Sequence, residues 1–425
     1  MASLEKAVVK GLAEDRGLYM PERIKPLPQS FFDNIENLSF QEIACAVADC
    51  FFGEDIPAED LKRIVCDTLQ FDCPTVKVTD NIYSLELFHG PTLAFKDVGA
   101  RFMARLLQYF IKQANQGGNG TVNVLVATSG DTGSAVANGF LGVEGIHVYV
   151  LYPKGKVSPI QECQFTTLGQ NITAVEVDGV FDDCQALVKS AFMDAELNQH
   201  MKLTSANSIN VARFLPQAFY YFNAYAQLKR QGLADQMVVC VPSGNFGNIC
   251  AGLFGHRMGL PIKRFIAANN ANDIFYQYLQ TGVYSPRASV QTIANAMDVG
   301  DPSNFARIYE LYNKDHAAIT ALISGATYSD GQIAETIRKV YGSTGYLCDP
   351  HGACGFRALS EQLTEGEVGV FLETAHPAKF KDTVEAIIGG EVEIPAKLRA
   401  FMQGTKQSVP MSKEFADFKQ YLLSE

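Results

Sequence analysis

The chain contains two blocks in which a short apolar segment leads into a glycine-rich turn and then into helix-forming residues. In the first block, Val122–Ala127 precedes Thr128-Ser-Gly-Asp-Thr-Gly133, and in the second, Met237–Pro242 precedes Ser243-Gly-Asn-Phe-Gly-Asn248. Such an apolar run is typical of a strand covered on both faces, and the order strand, turn, helix indicates a parallel sheet with helical crossovers. We therefore predict an α/β protein with two parallel-sheet domains and a ligand cleft between them.

The order of these patterns divides the chain into three predicted regions. Residues 1–80 are predicted to be mainly helical, because apolar residues over 40–52 are spaced as on one face of a helix. Residues 95–205 are predicted to form a smaller α/β domain with the first glycine-rich turn. Residues 81–94 and 206–425 are predicted to form a larger α/β domain with the second.

Charge and cysteine content exclude several classes of protein. The 425 residues include 35 Lys and Arg against 46 Asp and Glu, a net charge of −11, which argues against nucleic acid as a partner. We expect no membrane partner, because no apolar run is long enough for a span, and no secretory signal. The ten cysteines form no Cys-x-x-Cys pair and lie mostly among apolar residues. This favours reduced thiols in a cytoplasmic protein and no metal site.

The turn at 243–248 is the strongest signal for an anion-binding site. Its glycines permit close approach of backbone N–H groups, and the helix that follows contributes its positive end. It lacks the Gly-Lys-Ser/Thr of a P-loop, and it does not match the dinucleotide pattern of three spaced glycines. A tight turn without a ligand is the alternative. The turn at 128–133 offers hydroxyl groups at a helix start, which suit a carboxylate, and here too a purely structural turn remains open.

A single lysine in apolar surroundings is the third feature. Lys96 ends the segment His89-Gly-Pro-Thr-Leu-Ala-Phe-Lys96, just ahead of an amphipathic helix. Apolar neighbours and a positive helix end disfavour the ammonium form, and a neutral amine is a nucleophile. A surface lysine that lies along the helix is the alternative. A reactive amine together with a phosphate cradle is the combination that pyridoxal phosphate requires.

Several longer segments carry a resemblance to a known family. The chain resembles the threonine synthases, in the tryptophan-synthase-β-like group (fold type II) of pyridoxal phosphate enzymes. The matching segments lie at 11–21, 86–97, 127–133, 205–210, 242–248, 295–300 and 374–380. Phe-Lys-Asp after His-Gly-Pro-Thr, and Thr374-Ala-His-Pro-Ala-Lys-Phe380, are the most specific of them.

The resemblance implies a set of cofactor-binding residues. Lys96 would be the catalytic lysine that binds pyridoxal 5′-phosphate as an imine, and the hydroxyl group of Thr374 would meet the pyridine nitrogen. Asp131 would lie beside the 3′-oxygen, where many relatives have Asn, and a carboxylate there would repel a phenolate unless one of the two holds a proton. The implied ligands of the cofactor phosphate are Gly244, Asn245, Phe246, Gly247 and Asn248.

The resemblance also implies a substrate and a reaction. The family converts O-phospho-L-homoserine and water into L-threonine and phosphate, by γ-elimination and β-addition of water. The implied ligands of the α-carboxylate are Thr128, Ser129 and Thr132, and those of the substrate phosphate are Asn207, Ser208, Arg213 and Lys156. We expect a monomer, with a homodimer as the alternative. A sister lyase that yields a keto acid, and a non-catalytic descendant, are the rival functions.

Overall fold

The computed structural model describes residues 1–114 and 120–425 and confirms an α/β fold with parallel sheets. The strands of the described residues are β1 (Thr75–Lys77), β2 (Ile82–Glu86), β3 (Val122–Ala127), β4 (Ile146–Pro153), β5 (Ile172–Asp178), β6 (Lys202–Ser205), β7 (Met237–Pro242), β8 (Arg264–Asn269), β9 (Ile323–Thr327), β10 (Val368–Glu373) and β11 (Val409–Ser412).

Helices cover much of the remaining described chain. They are α1 (Leu4–Lys10), α2 (Gln29–Asn34), α3 (Phe40–Phe52), α4 (Ala58–Thr68), α5 (Lys96–Ala114), α6 (Asp131–Phe140), α7 (Pro159–Thr166), α8 (Phe181–Met193), α9 (Ala195–His200), α10 (Val211–Phe214), α11 (Ala218–Arg230), α12 (Gly247–Arg257), α13 (Ile274–Thr281), α14 (Phe305–Leu311), α15 (His316–Leu322), α16 (Asp330–Thr344), α17 (Pro350–Gln362), α18 (Lys381–Ile388), α19 (Ala396–Met402) and α20 (Phe415–Ser424). Short 3₁₀ turns lie at Ile35–Asn37, Leu215–Gln217, Asn295–Met297 and Pro377–Phe380.

The first compact unit contains residues 1–19, 96–213 and 394–425 and is built on a five-stranded sheet. The strand order is β11-β5-β4-β3-β6, and all neighbouring pairs are parallel. All six residues of β3 are buried, as expected for a strand whose two faces are both covered by helices. The sequence predicted this strand at the same residues.

The second compact unit contains residues 20–95 and 214–393 and is built on a six-stranded sheet. The order is β1-β2-β10-β7-β8-β9, in which β1 pairs antiparallel with β2 and the other pairs are parallel. The central strand β7 is buried along its whole length and leads into the glycine-rich turn at 243–248. Both sequence blocks therefore form the strand, turn and helix that were predicted from them.

The two units divide the chain at other points than the predicted regions, which were 1–80, 95–205, and 81–94 together with 206–425. The C-terminal segment belongs to the first unit because β11 extends its sheet, with Val409 opposite Val175 on β5. The first residues belong there too, since Asn210 Nδ2 donates to the carbonyl of Val8 at 2.9 Å. Helices α2, α3 and α4 lie in the second unit. Among the described residues, no helix is both long and apolar enough to span a membrane.

Candidate active site

Lys96 is the first residue of α5, and its side chain contacts the loop that follows β3. Its amine nitrogen Nζ donates to the hydroxyl Oγ1 of Thr132 at 2.8 Å, and the lysine is half-buried. The helix packs into the core of the first unit through Val98, Phe102 and Leu106, which fixes where its first residue lies. Two residues that the sequence singled out separately are thus hydrogen-bonded to each other. A lysine extended along a solvent-exposed helix is not what the structure shows.

The segment that precedes Lys96 is fixed by the residues that follow β10. Phe95 N–H donates to the carbonyl of Thr374 at 2.8 Å, and His376 N–H donates to the carbonyl of Leu93 at 3.0 Å. The buried Lys379 adds a bond from its Nζ to the carbonyl of Thr92 at 2.8 Å. The two most family-specific sequence segments therefore pair with each other in the second unit, and Thr374 itself is 7% exposed.

The loop at 128–133 is held by its own first side chain. The hydroxyl Oγ1 of Thr128 accepts the N–H groups of Gly130 at 2.9 Å and Gly133 at 2.8 Å. Gly130 has φ of 149°, and a Cβ atom there would lie 2.5 Å from the carboxamide carbon of Gln161, so this position requires glycine. Ser129 is exposed. The loop thus presents Ser129 and Thr132 while Thr128 maintains its shape.

Asp131 lies in the first turn of α6 and is almost completely buried. Its Oδ1 accepts a hydrogen bond from Gln161 Nε2 at 3.2 Å. Gln161 is 2% exposed, and the hydroxyl of Ser158 donates to its Oε1 at 3.1 Å, which sets the orientation of the amide. The structure therefore supplies a hydrogen-bond donor for the carboxylate whose role the sequence left open.

The predicted residues for the substrate phosphate lie between β6 and α10. Asn207 and Ser208 are half-buried, whereas Arg213 is 1% exposed and donates from Nη1 to the carbonyl of Ala206. Burial lowers the pKa of Arg213 to about 10, and the negative charge of Asp97 opposes that shift. The guanidinium group is thus a buried positive charge next to the helix that Lys96 begins. Lys156, the fourth predicted residue, lies at an exposed turn after β4.

The turn at 243–248 connects β7 to α12 and is closely packed. Phe246 has φ of 65°, the left-handed conformation, at the position just before the helix. A Cβ atom on Gly244 would lie 2.6 Å from the carbonyl oxygen of Ala296, so a larger residue cannot fit without a shift. The carbonyl of Asn245 accepts the N–H of Asn304 at 3.2 Å. An 11-residue helix thus begins directly at this turn, and the first N–H groups of a helix have no acceptor within the helix itself.

The donor groups at this turn fit a bound phosphate. Asn248 is 7% exposed, and the hydroxyl of Tyr221 donates to its Oδ1 at 2.7 Å. Its amide nitrogen Nδ2 is buried and has no hydrogen-bond partner within residues 1–114 and 120–425. A buried donor without an acceptor is costly in a folded protein, and an anion at the helix start would satisfy it. The turn is thus suited to the phosphate of pyridoxal phosphate.

Three buried polar residues near Thr374 were not predicted from the sequence. Glu373 Oε1 accepts the N–H of Asp349 at 2.9 Å, and Asp349 Oδ2 lies 2.5 Å from His351 Nδ1. Burial and the charge of Asp349 raise the pKa of Glu373 well above its usual value. Burial opposes ionisation of Asp349 too, but His351 and several hydrogen bonds lower its pKa. Of the two carboxyl groups, Glu373 is therefore the one whose surroundings favour the neutral form, and Asp349 the one whose surroundings favour ionisation. A glutamate at the end of an apolar strand is the sequence signal that could have revealed this group.

In the part of the chain that the structure describes, His, Cys, Asp and Glu form no group of three or more that could hold a metal ion. All ten cysteines are thiols outside any disulfide.

Comparisons with known proteins agree with this geometry. Residues 72–374 match the family model of pyridoxal-phosphate dependent enzymes, residues 1–69 that of the threonine synthase N terminus, and residues 352–422 that of the threonine synthase C-terminal region. Threonine synthase from Haemophilus influenzae is 47% identical over 421 residues, which cover 99% of this chain and 96% of the relative.

Solved structures give the same result. Threonine synthase from Escherichia coli superimposes with a TM-score of 0.92 at 43% identity, covering 100% of this chain and 97% of that one. The pyridoxal-phosphate-bound threonine synthase from Brucella melitensis has a TM-score of 0.92 at 37% identity, covering 99% and 96%.

The fold and the matches define a class, the pyridoxal-phosphate-dependent enzymes of fold type II. Within that class, the chain belongs to the threonine synthase family. The resemblance inferred from the sequence is thereby confirmed, as is the cofactor.

Proposed function

We propose that this chain converts O-phospho-L-homoserine and water into L-threonine and phosphate by γ-elimination followed by β-addition of water. The observation that carries the proposal is the hydrogen bond of 2.8 Å between Lys96 Nζ and Thr132 Oγ1. It joins a candidate amine nucleophile to the loop that is proposed to bind the α-carboxylate of an amino acid. A base and a carboxylate-binding group so close together suit proton removal from the carbon next to that carboxylate.

Each part of the cofactor has a proposed place on the chain. When bound, pyridoxal phosphate supplies an aldehyde for imine formation and a conjugated ring that delocalises the charge left by a departing proton. We propose that Lys96 provides the amine. The N–H groups of 244–248, the buried Asn248 Nδ2 and the start of α12 would hold the phosphate. The neutral hydroxyl of Thr374 would meet the ring nitrogen without protonating it, and Asp131 would face the 3′-oxygen.

Lys96 is proposed to move the protons at Cα. Its Nζ is half-buried and donates to the neutral hydroxyl of Thr132, so the amine lies beside the loop that is proposed to bind the substrate carboxylate. It would remove the Cα proton as a general base and return a proton to Cα at the end. Thr132 would hold Nζ in place between these steps.

The substrate is proposed to bind through two groups of residues. Ser129 and Thr132, on the loop that Thr128 holds in shape, would bind the α-carboxylate. Asn207 and Ser208 would donate to the substrate phosphate, with Arg213 supplying positive charge from its buried position next to α5. Lys156, at its exposed turn, would approach the same phosphate from the solvent side.

The test supplies the purified protein with pyridoxal phosphate and O-phospho-L-homoserine and measures released phosphate and threonine together. We expect one threonine for each phosphate. A keto acid in place of threonine would make the protein a sister lyase, and neither product would make it a non-catalytic relative. We also propose that the protein is cytoplasmic, with which ten cysteines outside any disulfide are consistent. We further propose that it is a monomer, and light scattering during size-exclusion chromatography would distinguish a monomer from a homodimer.

A further inference from the structure

We propose that His351 is a positioning residue for the cofactor phosphate, because its imidazole holds the turn Asn295–Met297 in contact with Gly244. The inference rests on the proposed function, since that phosphate is what the residues at 243–248 are proposed to bind. All of the residues involved lie in the second unit, at the carboxyl ends of β7 and β10 and the start of α17.

The turn Asn295–Met297 forms one wall of the phosphate loop. A Cβ atom on Gly244 would lie 2.6 Å from the carbonyl oxygen of Ala296 and 3.0 Å from Cα of Met297. These are backbone atoms, which cannot rotate away as the end of a side chain can. The conformation of the loop therefore depends on where the turn lies, and a shift of the turn would alter the direction of the N–H groups of the loop.

His351 connects that turn to the start of α17. The imidazole is 2% exposed, and its Nε2 accepts the N–H of Ala296 at 3.1 Å. Within the turn, Met297 N–H bonds back to Ala294 and Asp298 N–H to Asn295, at 3.0 and 3.1 Å. Those bonds set the shape of the turn, whereas the bond from Ala296 to His351 sets its position relative to a helix of the core.

Asp349 selects the tautomer that this bond requires. Nε2 accepts from Ala296 only if it carries no proton, so the proton of the neutral ring must lie on Nδ1. Asp349 Oδ2 lies 2.5 Å from Nδ1 and accepts the hydrogen bond that the Nδ1–H group donates. Two further hydrogen bonds fix Asp349. Its Oδ1 accepts the N–H of Gly352 at 2.7 Å, and its own N–H donates to Glu373 Oε1 at 2.9 Å. A continuous set of hydrogen bonds thus runs from Glu373, next to Thr374, through His351 to the wall of the phosphate loop.

Two polar substitutions separate the two contacts of the ring. His351→Gln can place its amide oxygen where Nε2 lies, so it can still accept the N–H of Ala296, but it loses the contact at Nδ1. His351→Asn can replace Nδ1 toward Asp349, but it is too short to reach Ala296. The affinity for pyridoxal phosphate, and for pyridoxal as the analogue without phosphate, is measured from the visible absorbance of the lysine-bound cofactor in protein stripped of cofactor.

If His351 positions the phosphate loop, His351→Asn lowers the affinity for pyridoxal phosphate about tenfold and leaves the affinity for pyridoxal almost unchanged. In His351→Gln, the affinity for pyridoxal phosphate stays within about threefold of the wild-type value. The matched control is His316→Asn, because Nε2 of His316 bonds the carbonyls of Tyr278 and Leu279, both at 3.0 Å, and no contact with the turn is involved. The inference would be overturned if His351→Asn bound pyridoxal phosphate with wild-type affinity, or if it lost affinity for pyridoxal phosphate and pyridoxal equally.

A second measurement uses the wild-type protein. Hydrogen exchange of the peptide that contains Ala296 should slow when pyridoxal phosphate binds and change little with pyridoxal. Unchanged exchange with bound pyridoxal phosphate would refute a link between turn and phosphate. These outcomes are distinct from failure of the proposed function, which would appear as a wild-type protein that gives no visible absorbance with either aldehyde or that forms no threonine.

Discussion

The N–H of Phe95 donates to the carbonyl oxygen of Thr374 across 2.8 Å, and this bond ties together the segments on which the proposed chemistry depends. Phe95 is joined by one peptide bond to Lys96, and Thr374 directly follows the buried strand β10. An isolated antiparallel bridge between Ala94 and Ala375 extends the pairing. Within the second unit, this pairing thus fixes the backbone as far as Phe95, the residue that precedes Lys96.

Replacing Lys96 by alanine should abolish turnover. Without its amine, no imine absorbance should develop with pyridoxal phosphate, and threonine formation should fall by about a thousandfold or more, because nucleophile and base are lost together. The measurement is the visible spectrum and the coupled phosphate and threonine assay. Lys112→Ala, later on the same helix, is the control and should keep both signals. Normal turnover in Lys96→Ala would end the assignment.

Gly244→Ala should weaken cofactor binding. The added methyl group would lie 2.6 Å from the Ala296 carbonyl, and overpacking of this kind typically costs about 1–3 kcal/mol. We expect the dissociation constant of pyridoxal phosphate to rise about tenfold or more. Gly342→Ala is the matched control, since a Cβ atom at Gly342 in α16 meets no atom within 4 Å. Equal affinities for the two variants would mean that the turn at 243–248 is not the phosphate site.

Arg213→Met should separate the two phosphate sites. We expect KM for O-phospho-L-homoserine to rise about tenfold or more, while the affinity for pyridoxal phosphate stays unchanged. The variant should also lose about 3 kcal/mol of unfolding free energy, because Asp97 would remain buried without the charge that faces it.

A matched control for Arg213→Met is Arg105→Met, on α5 but half-buried and bonded to the carbonyl of Arg101 at 3.0 Å. It should leave KM as in the wild type. If Arg213→Met instead loses its cofactor, then the residues assigned to the substrate phosphate and to the cofactor phosphate have been exchanged.

Local patterns sufficed to predict the strands that lead into the two loops. β3 and β7 are nearly all apolar and end at small polar residues, so their bounds follow from the sequence alone. The addition of β11 to β5 was not predictable in this way, because β11 contains Pro410, is only partly buried and finds its partner more than 200 residues away. Pairing at that distance is decided by tertiary packing rather than by periodicity.

The candidate site shows the same limit. Lys96 and the two glycine-rich turns are visible in the sequence because their residue types are uncommon in such surroundings. Glu373, at the end of an apolar strand, is a local signal of a buried polar group, but its partners Asp349 and His351 are not visible as such. The segment Asp-Pro-His reads locally as a helix start and lies in another element. The packing of the start of α17 against the end of β10 brings the three buried residues together, and Asp349 N–H donates to Glu373 Oε1 there.

His376 should make the protein less stable as the pH falls. Burial lowers the pKa of His376 to about 4, and its Nδ1 accepts the N–H of Ala378 at 3.0 Å, which requires the neutral ring. In the unfolded chain the histidine has an ordinary pKa near 6.5, so it takes up a proton at a higher pH than in the folded protein. The contribution of His376 to the free energy of unfolding is therefore fully present above about pH 6.5, and it falls toward pH 4 by at most about 1.4 kcal/mol per pH unit.

The test is urea unfolding of His376→Asn, whose amide oxygen can accept the same N–H, between pH 6.5 and 4. The free energy of unfolding should fall less steeply with pH in this variant than in the wild type. His200→Asn, which removes an exposed histidine, should keep the wild-type slope. Identical slopes for wild type and His376→Asn would show that the His376 ring takes up its proton equally well in the folded and unfolded chains.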